Sequence, residues 1–491
     1  MADTEAYEAV IGLEIHVQLS TRTKMFCGCE LEFGADPNVH TCPVCLGHPG
    51  TLPVTNEEAI RSGIKIGLAL ECEIAARSIF HRKNYFYPDL PKGYQISQYD
   101  IPLCGAGRLG EVRIHRCHLE EDAAKLTHIG DSGRIHGSGA SLVDFNRGGT
   151  PLVEIVTEPD LREAPAAREW LQLLRTTLRQ LGVSDVNMEE GSLRCDANIS
   201  IRPAGSEQLG TKTELKNMNS FRFIERGIDA EIARQRGIVE GGGEVVQETL
   251  HYDPTNGSLT PLRSKEYAHD YRYLPEPDLV PIVPSPEEIE AIRASLPELP
   301  AARRARYRDQ VGISDEAAAQ LAGDVELAEL FEATLAAAAE AGVPVESGVE
   351  AGVEASVIAN WVTGELVAVS RAAGAEHPTA TKAGPAEIAA LAGLVDSKTI
   401  SRQVGRELLV RLAADGGDPA AIVAAEGLGA EGGDELEAIV DRAIEADPEA
   451  AAKVRAGEMK AIGALVGAVM RESKGRADGG EVTRLLRERL G

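Results

Sequence analysis

Val10–Leu19 reads VIGLEIHVQL, and its alternation decides how the first half of the chain is built. Leu13, Ile15, Val17 and Leu19 fall on one side, while Glu14, His16 and Gln18 fall on the other. A period of two is that of a β-strand with one face buried. The same alternation recurs in His118–Asp122 (HLEED), Leu152–Glu158 (LVEIVTE) and Arg194–Ile201 (RCDANISI). In the last of these, Arg194, Asp196, Asn198 and Ser200 share a face opposite Cys195, Ala197, Ile199 and Ile201. Pro165–Gln180 is predicted helical, with Trp170, Leu173, Leu174 and Leu178 at helical spacing and a proline suited to the first turn. Glycine-rich turns separate the strands. The fold class expected is α+β, with a body of largely antiparallel sheets.

The composition is uneven along the chain. Of 20 aromatic residues, 17 lie at or before Tyr273, and all eight cysteines lie at or before Cys195. Beyond Leu279 the sequence turns to Ala, Glu, Leu and Arg, which are good helix formers. A proline-rich junction (Pro275, Pro277, Pro281, Pro284, Pro286) marks the change, and AADGGDP at Ala413–Pro419 marks a second break. At 491 residues, three domains are expected: 1–286, 287–414 and 415–491. The Ala- and Gly-rich stretch Ala333–Ala359 is expected to be a flexible insertion. A formal net charge of −27 excludes a protein that coats nucleic acid. No apolar run reaches the ~18 residues of a membrane span, and the first residues lack a signal pattern. A cytoplasmic protein with reduced thiols is expected, with no membrane partner.

Cysteine spacing carries the first chemical signal. Cys27 and Cys29, then Cys42 and Cys45, form two close pairs able to fold onto one tetrahedral ion, and Zn²⁺ suits four thiolates. With no open coordination position the zinc would be structural. Cys72, Cys104, Cys117 and Cys195 lack such pairing and are expected to be buried apolar residues.

The second signal is a set of acids on the alternating strands: Glu14 beside His16, Glu120 with Asp122, Glu154, and Asp196 with Asn198. On a single strand such residues would simply face solvent. Their recurrence over four strands points to a hard cation, because clustered carboxylates repel unless a cation relieves them. Mg²⁺ with phosphate ligands fits, although the chain has neither a P-loop nor a strand-linked GxGxxG. A third stretch, Arg82–Asp100 (RKNYFYPDLPKGYQISQYD), mixes Arg82, Lys83 and Lys92 with five aromatics, as in surfaces that grip nucleic acid or in ordinary loop packing.

These segments, in order, resemble the GatB family, one of the three components of the GatCAB aminoacyl-tRNA amidotransferases. VIGLEIHVQL, KMFCGCE, RKNYFYPDLPKGYQISQYD, HLEEDAAK, DFNRGGTPLVEIVTEPD, EEGSLRCDANISIRP, ELKNMNSFRFIERGI and DYRYLPEPDLVP carry the resemblance. KAIGALVGAVMRESKGRADGGEV resembles the signature of a YqeY-like tail. The resemblance implies a cradle domain, an all-α helical domain and a small helical tail. It implies that ATP phosphorylates the side-chain carboxylate of Glu-tRNA(Gln) or Asp-tRNA(Asn), and that ammonia then displaces phosphate. It further implies Mg²⁺ on Glu14, His16, Glu120 and Glu154, and catalytic roles for Glu120, Glu154, Lys83 and Lys92. Asp196 and Asn198 would line the ATP and acyl-phosphate pocket, and the four cysteines match the zinc-bearing members.

The chain has no glutaminase signature of its own. The ammonia is therefore expected from a separate glutaminase, GatA, with GatC bracing the pair. From Lys453 to Gly491 nine basic residues face five acidic ones, a local charge of +4. Lys460, Arg471, Lys474 and Arg476 are the candidate tRNA contacts. A competing expectation is a non-catalytic, zinc-stabilised tRNA-binding scaffold whose acidic strand faces are merely solvated.

Overall fold

The computed structural model describes residues 7–129, 138–264, 271–340, 354–430 and 433–491, which form two compact units, Met1–Leu299 and Pro300–Gly491. The alternating segment is β1 (Tyr7–Gln18), with Leu13, Ile15 and Val17 almost completely buried. Burying each such side chain contributes roughly 2 kcal/mol, which is why the period of two decides its orientation.

The other strands are β2 (His81–Asn84), β3 (Tyr94–Ser97), β4 (Gly107–Leu109), β5 (Val112–Glu121), β6 (Lys125–Ile129) and β7 (Ala140–Asp144). They continue with β8 (Pro151–Thr157), β9 (Leu193–Pro203), β10 (Thr213–Lys216), β11 (Glu248–Asp253), β12 (Ser258–Ser264) and β13 (Leu274–Pro275). Eight of them make one sheet in the order β12-β11-β10-β9-β1-β8-β5-β4. Its pairs are antiparallel apart from β10 with β11. A parallel pair needs a crossover, and α3 (Phe221–Glu240) supplies it. With α1 (Glu57–Ala69) and α2 (Ala164–Leu181), it buries one sheet face in a core containing Ile15, Ile64, Leu174, Ile199 and Ile228. The opposite face keeps the polar side chains of β1, β8, β9 and β5. The fold class is thus α+β.

Local signals place the helices. Asn56 caps α1 by accepting from the backbone N–H groups of Glu58 and Ala59, and α2 stops at Gly182 in the left-handed region. Trp170 of α2 donates its indole N–H to the Leu109 carbonyl at 2.9 Å. Cys72, Cys104, Cys117 and Cys195 are all buried and unbridged. The first unit runs past the proline-rich junction because α4 (Pro286–Ala294) inserts Ile292 into its core. A small sheet, β13-β2-β3, carries the Arg82–Asp100 stretch, in which Phe86 is almost fully exposed.

All regular elements of the second unit among its described residues are helical, joined by short turns. One core gathers Tyr307, Phe331, Trp361, Leu391 and Leu409, and another gathers Leu436, Val440, Leu465, Val482 and Leu486. The expected flexible insertion at 333–359 needs correction at both ends. Helix Val325–Glu340 buries Thr334 and Ala338, and helix Ala355–Asn360 buries Ile358, so alanines there pack rather than float. The centre of that stretch, 341–353, lies outside the described residues. Among the described residues no helix is long and apolar enough to cross a membrane.

Candidate active site

Strand register builds the site. Glu154 of β8 sits directly opposite His16 of β1 on one side and His118 of β5 on the other. Neighbouring strands carry such pairs within side-chain reach. His16 Nε2 lies 3.6 Å from Glu120 and 3.7 Å from Glu154; His118 Nε2 lies 3.2 Å from Glu154 and 3.8 Å from Glu120. Glu120 and Glu154 are only 3 % and 7 % exposed, so these two carboxylates are not solvated, while Glu14, Asp196 and Asn198 are half-buried. Ser97 of β3 donates its hydroxyl to Glu120 at 3.2 Å.

Electrostatics follow from that burial. Burial opposes charge on His118, but the Glu154 and Glu120 carboxylates outweigh it and hold the ring up at about 9. Burial likewise opposes ionisation of Glu154, yet His118, His16 and Lys83 hold its carboxyl well below the usual range. Glu120 is lowered too, chiefly by His118 against the cost of burial. Glu14 goes the other way, pushed up by burial and by the Glu154 carboxylate. Lys83 stands over the Tyr271 ring at 5.0 Å; burial works against its charge, but Glu120 leads the groups that raise it.

Ligand atoms of His16, Glu120 and Glu154 lie within 4.8 Å of one another, and so do those of Glu14, His16 and Asp196. His16 belongs to both sets, so the four residues expected to hold Mg²⁺ are split: Glu120 and Glu154 join His16 in one group, and Glu14 joins His16 and Asp196 in the other. One imidazole and two ionised carboxylates can take a divalent cation. Asp196 does not stand free: Lys216 of β10 reaches it at 2.5 Å and also reaches Glu214 at 3.1 Å. A cavity of about 320 Å³ opens here, lined by His16, Arg194, Asp196, Lys216, Asn217 and Asn219 among others. Asn198 lies opposite Gly12, beyond the residues that line this cavity.

Lys92 is placed apart from this cluster. Its ammonium contacts Glu121, the neighbour of Glu120 on the other face of β5, and Glu121 also accepts from the Ile96 N–H at 2.9 Å. Asp122 anchors the end of the strand through Arg194 at 2.9 Å and Gln18 at 2.8 Å. Sequence reasoning missed His118, Glu121, Arg194 and Lys216 as functional residues. His118 could have been found, since it shares a strand face with Glu120 in HLEED. The Lys216 pairing needs the β9–β10 register, which no local pattern supplies.

The four sulfurs of Cys27, Cys29, Cys42 and Cys45 lie within 4.8 Å of one another. A tetrahedron of ~2.3 Å zinc–sulfur bonds has edges of about 3.8 Å, so this donor set fits the ion. Cys45 accepts from Cys27, which outweighs burial and holds its thiol down at about 4. The loop also touches Lys92, because a Cβ added at Gly47, with φ of +68°, would meet the Lys92 Cγ at 2.6 Å. Only glycine fits there.

In the tail, Lys460 precedes helix Ile462–Glu472, while Arg471, Lys474 and Arg476 gather at its other end. An eleven-residue helix is about 16 Å long, so the four cations do not form one cluster. Lys460, Arg471 and Lys474 are exposed. Arg476 is half-buried and donates to the Ser473 carbonyl at 3.3 Å.

Known families match both units of the chain. The family model described as the GatB/GatE catalytic domain matches residues 9–290, and the one described as the GatB domain, of YqeY type, matches 344–490. The chain belongs to the GatB family. It is 48 % identical to the GatB protein of the aspartyl/glutamyl-tRNA(Asn/Gln) amidotransferase of Anaeromyxobacter sp. (strain K), over 99 % of each chain. The corresponding protein of Geobacter sulfurreducens is also 48 % identical over 99 % of each chain. That of Thermobifida fusca is 47 % identical over 99 % of this chain and 94 % of its own. The buried His16–Glu120–Glu154–His118 cluster lies within the part that matches the catalytic domain.

Proposed function

We propose that this chain is the kinase and transfer subunit of a glutamine-dependent tRNA amidotransferase, acting in the cytoplasm on Glu-tRNA(Gln), Asp-tRNA(Asn) or both. The observation that carries the reading is Glu154, buried between two histidines and within reach of Glu120, in a chain of this family. A carboxylate oxygen of the charged amino acid attacks the γ-phosphorus of ATP, and the bond to ADP breaks. Ammonia then attacks the acyl carbon, the carbon–oxygen bond to phosphate breaks, phosphate leaves with the electron pair, and a proton is released. A carboxylate is a poor acyl donor, so the phosphoryl group is needed as a leaving group.

Glu14, His16, Glu120 and Glu154 would hold Mg²⁺, which when bound supplies neutralisation of phosphoryl charge. His118, charged at neutral pH, keeps Glu120 and Glu154 ionised and oriented. Lys83 offers a cation beside them for an anionic substrate oxygen. Asp196 and Lys216 shape the adjoining cavity, with Asn198 further out as a lesser candidate. Lys92 fixes Glu121 and, through it, the register of β5 beside Glu120; that makes it a positioning residue. Cys27, Cys29, Cys42 and Cys45 would hold a structural Zn²⁺.

Ammonia would come from GatA, with GatC completing a heterotrimer. Residues 1–286 would form the catalytic cradle, 287–414 a helical connector and 415–491 the tRNA-binding tail, with Lys460, Arg471, Lys474 and Arg476 meeting phosphates. The scaffold reading requires solvated acids, and the burial of Glu120 and Glu154 argues against it. The test is Glu154→Ala in the assembled complex. Mg²⁺- and tRNA-dependent ATP hydrolysis should disappear while glutamine hydrolysis persists; unchanged amide formation would sink the assignment.

A further inference from the structure

Lys24 is the largest charged side chain that the first unit buries completely, at 0 % exposure. Its ammonium has two acceptors: the Phe145 carbonyl at 3.0 Å and the Cys45 sulfur at 3.7 Å. Among the described residues no carboxylate oxygen lies within ion-pair distance of it. A buried ammonium without an anion is strongly unfavourable, and a carbonyl dipole alone does not offset the loss of water. Besides that carbonyl, the group it faces is the Cys45 sulfur.

Main-chain contacts tie Lys24 to the other cysteine pair as well. The Lys24 N–H donates to the Cys29 carbonyl at 3.0 Å, and its own carbonyl accepts from the Asn56 side chain at 3.4 Å. One residue thus holds the first pair through its backbone and the second through its side chain. Its stem is also seated, since a Cβ built on Gly149 would lie 3.3 Å from the Lys24 Cδ. Four thiolates on one Zn²⁺ leave two net negative charges in a partly buried loop. A fixed cation against one sulfur offsets half of that charge, and such outer contacts tune metal affinity.

Resting on the four-cysteine zinc reading above, we propose that Lys24 is the built-in counter-cation of that centre: through its contact with the Cys45 sulfur it positions that ligand and sets how firmly the metal is held. It acts through the ligands and takes no part in amide formation.

The test uses the full chain purified with GatA and GatC. Zinc content is measured by elemental analysis, and zinc release to a chromogenic chelator is followed for wild type, Lys24→Met and Lys24→Gln. Methionine keeps the length of the stem without charge, while glutamine keeps an N–H donor without charge. Both variants should release zinc roughly 10- to 100-fold faster than wild type, the range typical of lost outer-shell partners. Release within twofold of wild type in a folded variant would overturn the role of Lys24. Less than about a tenth of an ion per wild-type chain would instead overturn the zinc reading itself.

A second arm covers variants that fold poorly. If Lys24 is there for the thiolates, Cys45→Ala leaves its charge uncompensated. Adding Lys24→Met to Cys45→Ala should then raise the melting temperature, whereas in wild type the same change should lower it. A lower melting temperature in both backgrounds would mean that Lys24 is only a packing residue.

Discussion

Two clusters of acidic groups lie within the first unit, and they are assembled in opposite ways. The four cysteines come from a single stretch of chain, Cys27 to Cys45, and meet through local turns. His16, Glu120 and Glu154 come from β1, β5 and β8, far apart in sequence, and meet only because the sheet aligns them. The local cluster can form as soon as its loop folds around an ion. The sheet cluster exists only once three strands have paired in register, since a slip of one residue would turn Glu154 to the other face. The first would rest on the zinc proposed for it; the second rests on the fold.

That contrast predicts unequal damage. His118→Gln removes the charged ring that bridges Glu120 and Glu154 but leaves the proposed ligands in place. Amide formation by the complex should fall by roughly 10- to 100-fold, as is typical when outer partners of a metal site are lost. A loss below threefold would detach His118 from the site. Cys45→Ser should break the local cluster. Zinc content should fall to near zero and the first unit's melting temperature should drop by roughly 10 °C. Amide formation measured at low temperature should fall much less than in His118→Gln. Equal losses would mean that the two clusters act as one.

The same contrast explains what could be read from sequence. Cysteine spacing is a local property, so the donor set was legible residue by residue. The strands were legible because burial enforces their alternation, and Glu14, His16, Glu120 and Glu154 follow from it as face residues. Register was not legible. Nothing within HLEED says that His118 shares Glu154 with His16, and nothing within TELK says that Lys216 reaches Asp196. Lys92 groups with Glu120 by family resemblance, but strand alternation turns its actual partner, Glu121, to the other face. The alanine-rich stretch misleads for another reason. Alanine has the best helix propensity, and helices whose packing depends on small residues lack the large apolar stripe that marks them.

Asp122 tests the fold-supported cluster at its edge. Its carboxylate is 4 % exposed, and although burial works against ionisation, Arg194 and Arg147 hold it below the usual range. A group whose folded pKa is lowered stabilises the fold above its unfolded value and loses that contribution as pH falls through the folded one. Asp122→Asn should therefore destabilise the first unit by about 2 kcal/mol near neutral pH, because Arg194 is left facing a neutral amide. The gap between variant and wild type should narrow below about pH 4, where the unfolded carboxylate begins to protonate. Denaturant titration at about pH 7 and about pH 3 checks this. A gap that stays constant with pH would assign the effect to packing instead of charge.

The smallest effect is expected in the tail, where cations differ in whether they already have partners. Arg484 lies against both Glu481 and Glu488, and Arg489 pairs with Glu437 at 2.7 Å and Asp441 at 3.0 Å. Lys474 and Arg471 have no carboxylate partner among the described residues, and Arg471 folds back so that its guanidinium lies near Gly467. A cation already neutralised releases few counterions on meeting a phosphate, whereas an unpaired one releases close to one. Arg471→Ala with Lys474→Ala should thus lower the salt dependence of tRNA binding by about two, measured as the slope of log affinity against log salt. Arg484→Ala should leave that slope nearly unchanged although it too removes a positive charge. If loss of Arg484 shifts the slope as much as loss of Arg471 alone, net tail charge governs binding and the pairing seen in the fold is irrelevant to it. Lys460→Ala sharpens the question further, since this cation lies at the far end of the helix. A slope change there comparable to that of Arg471→Ala would require a tRNA footprint spanning the whole helix, about 16 Å.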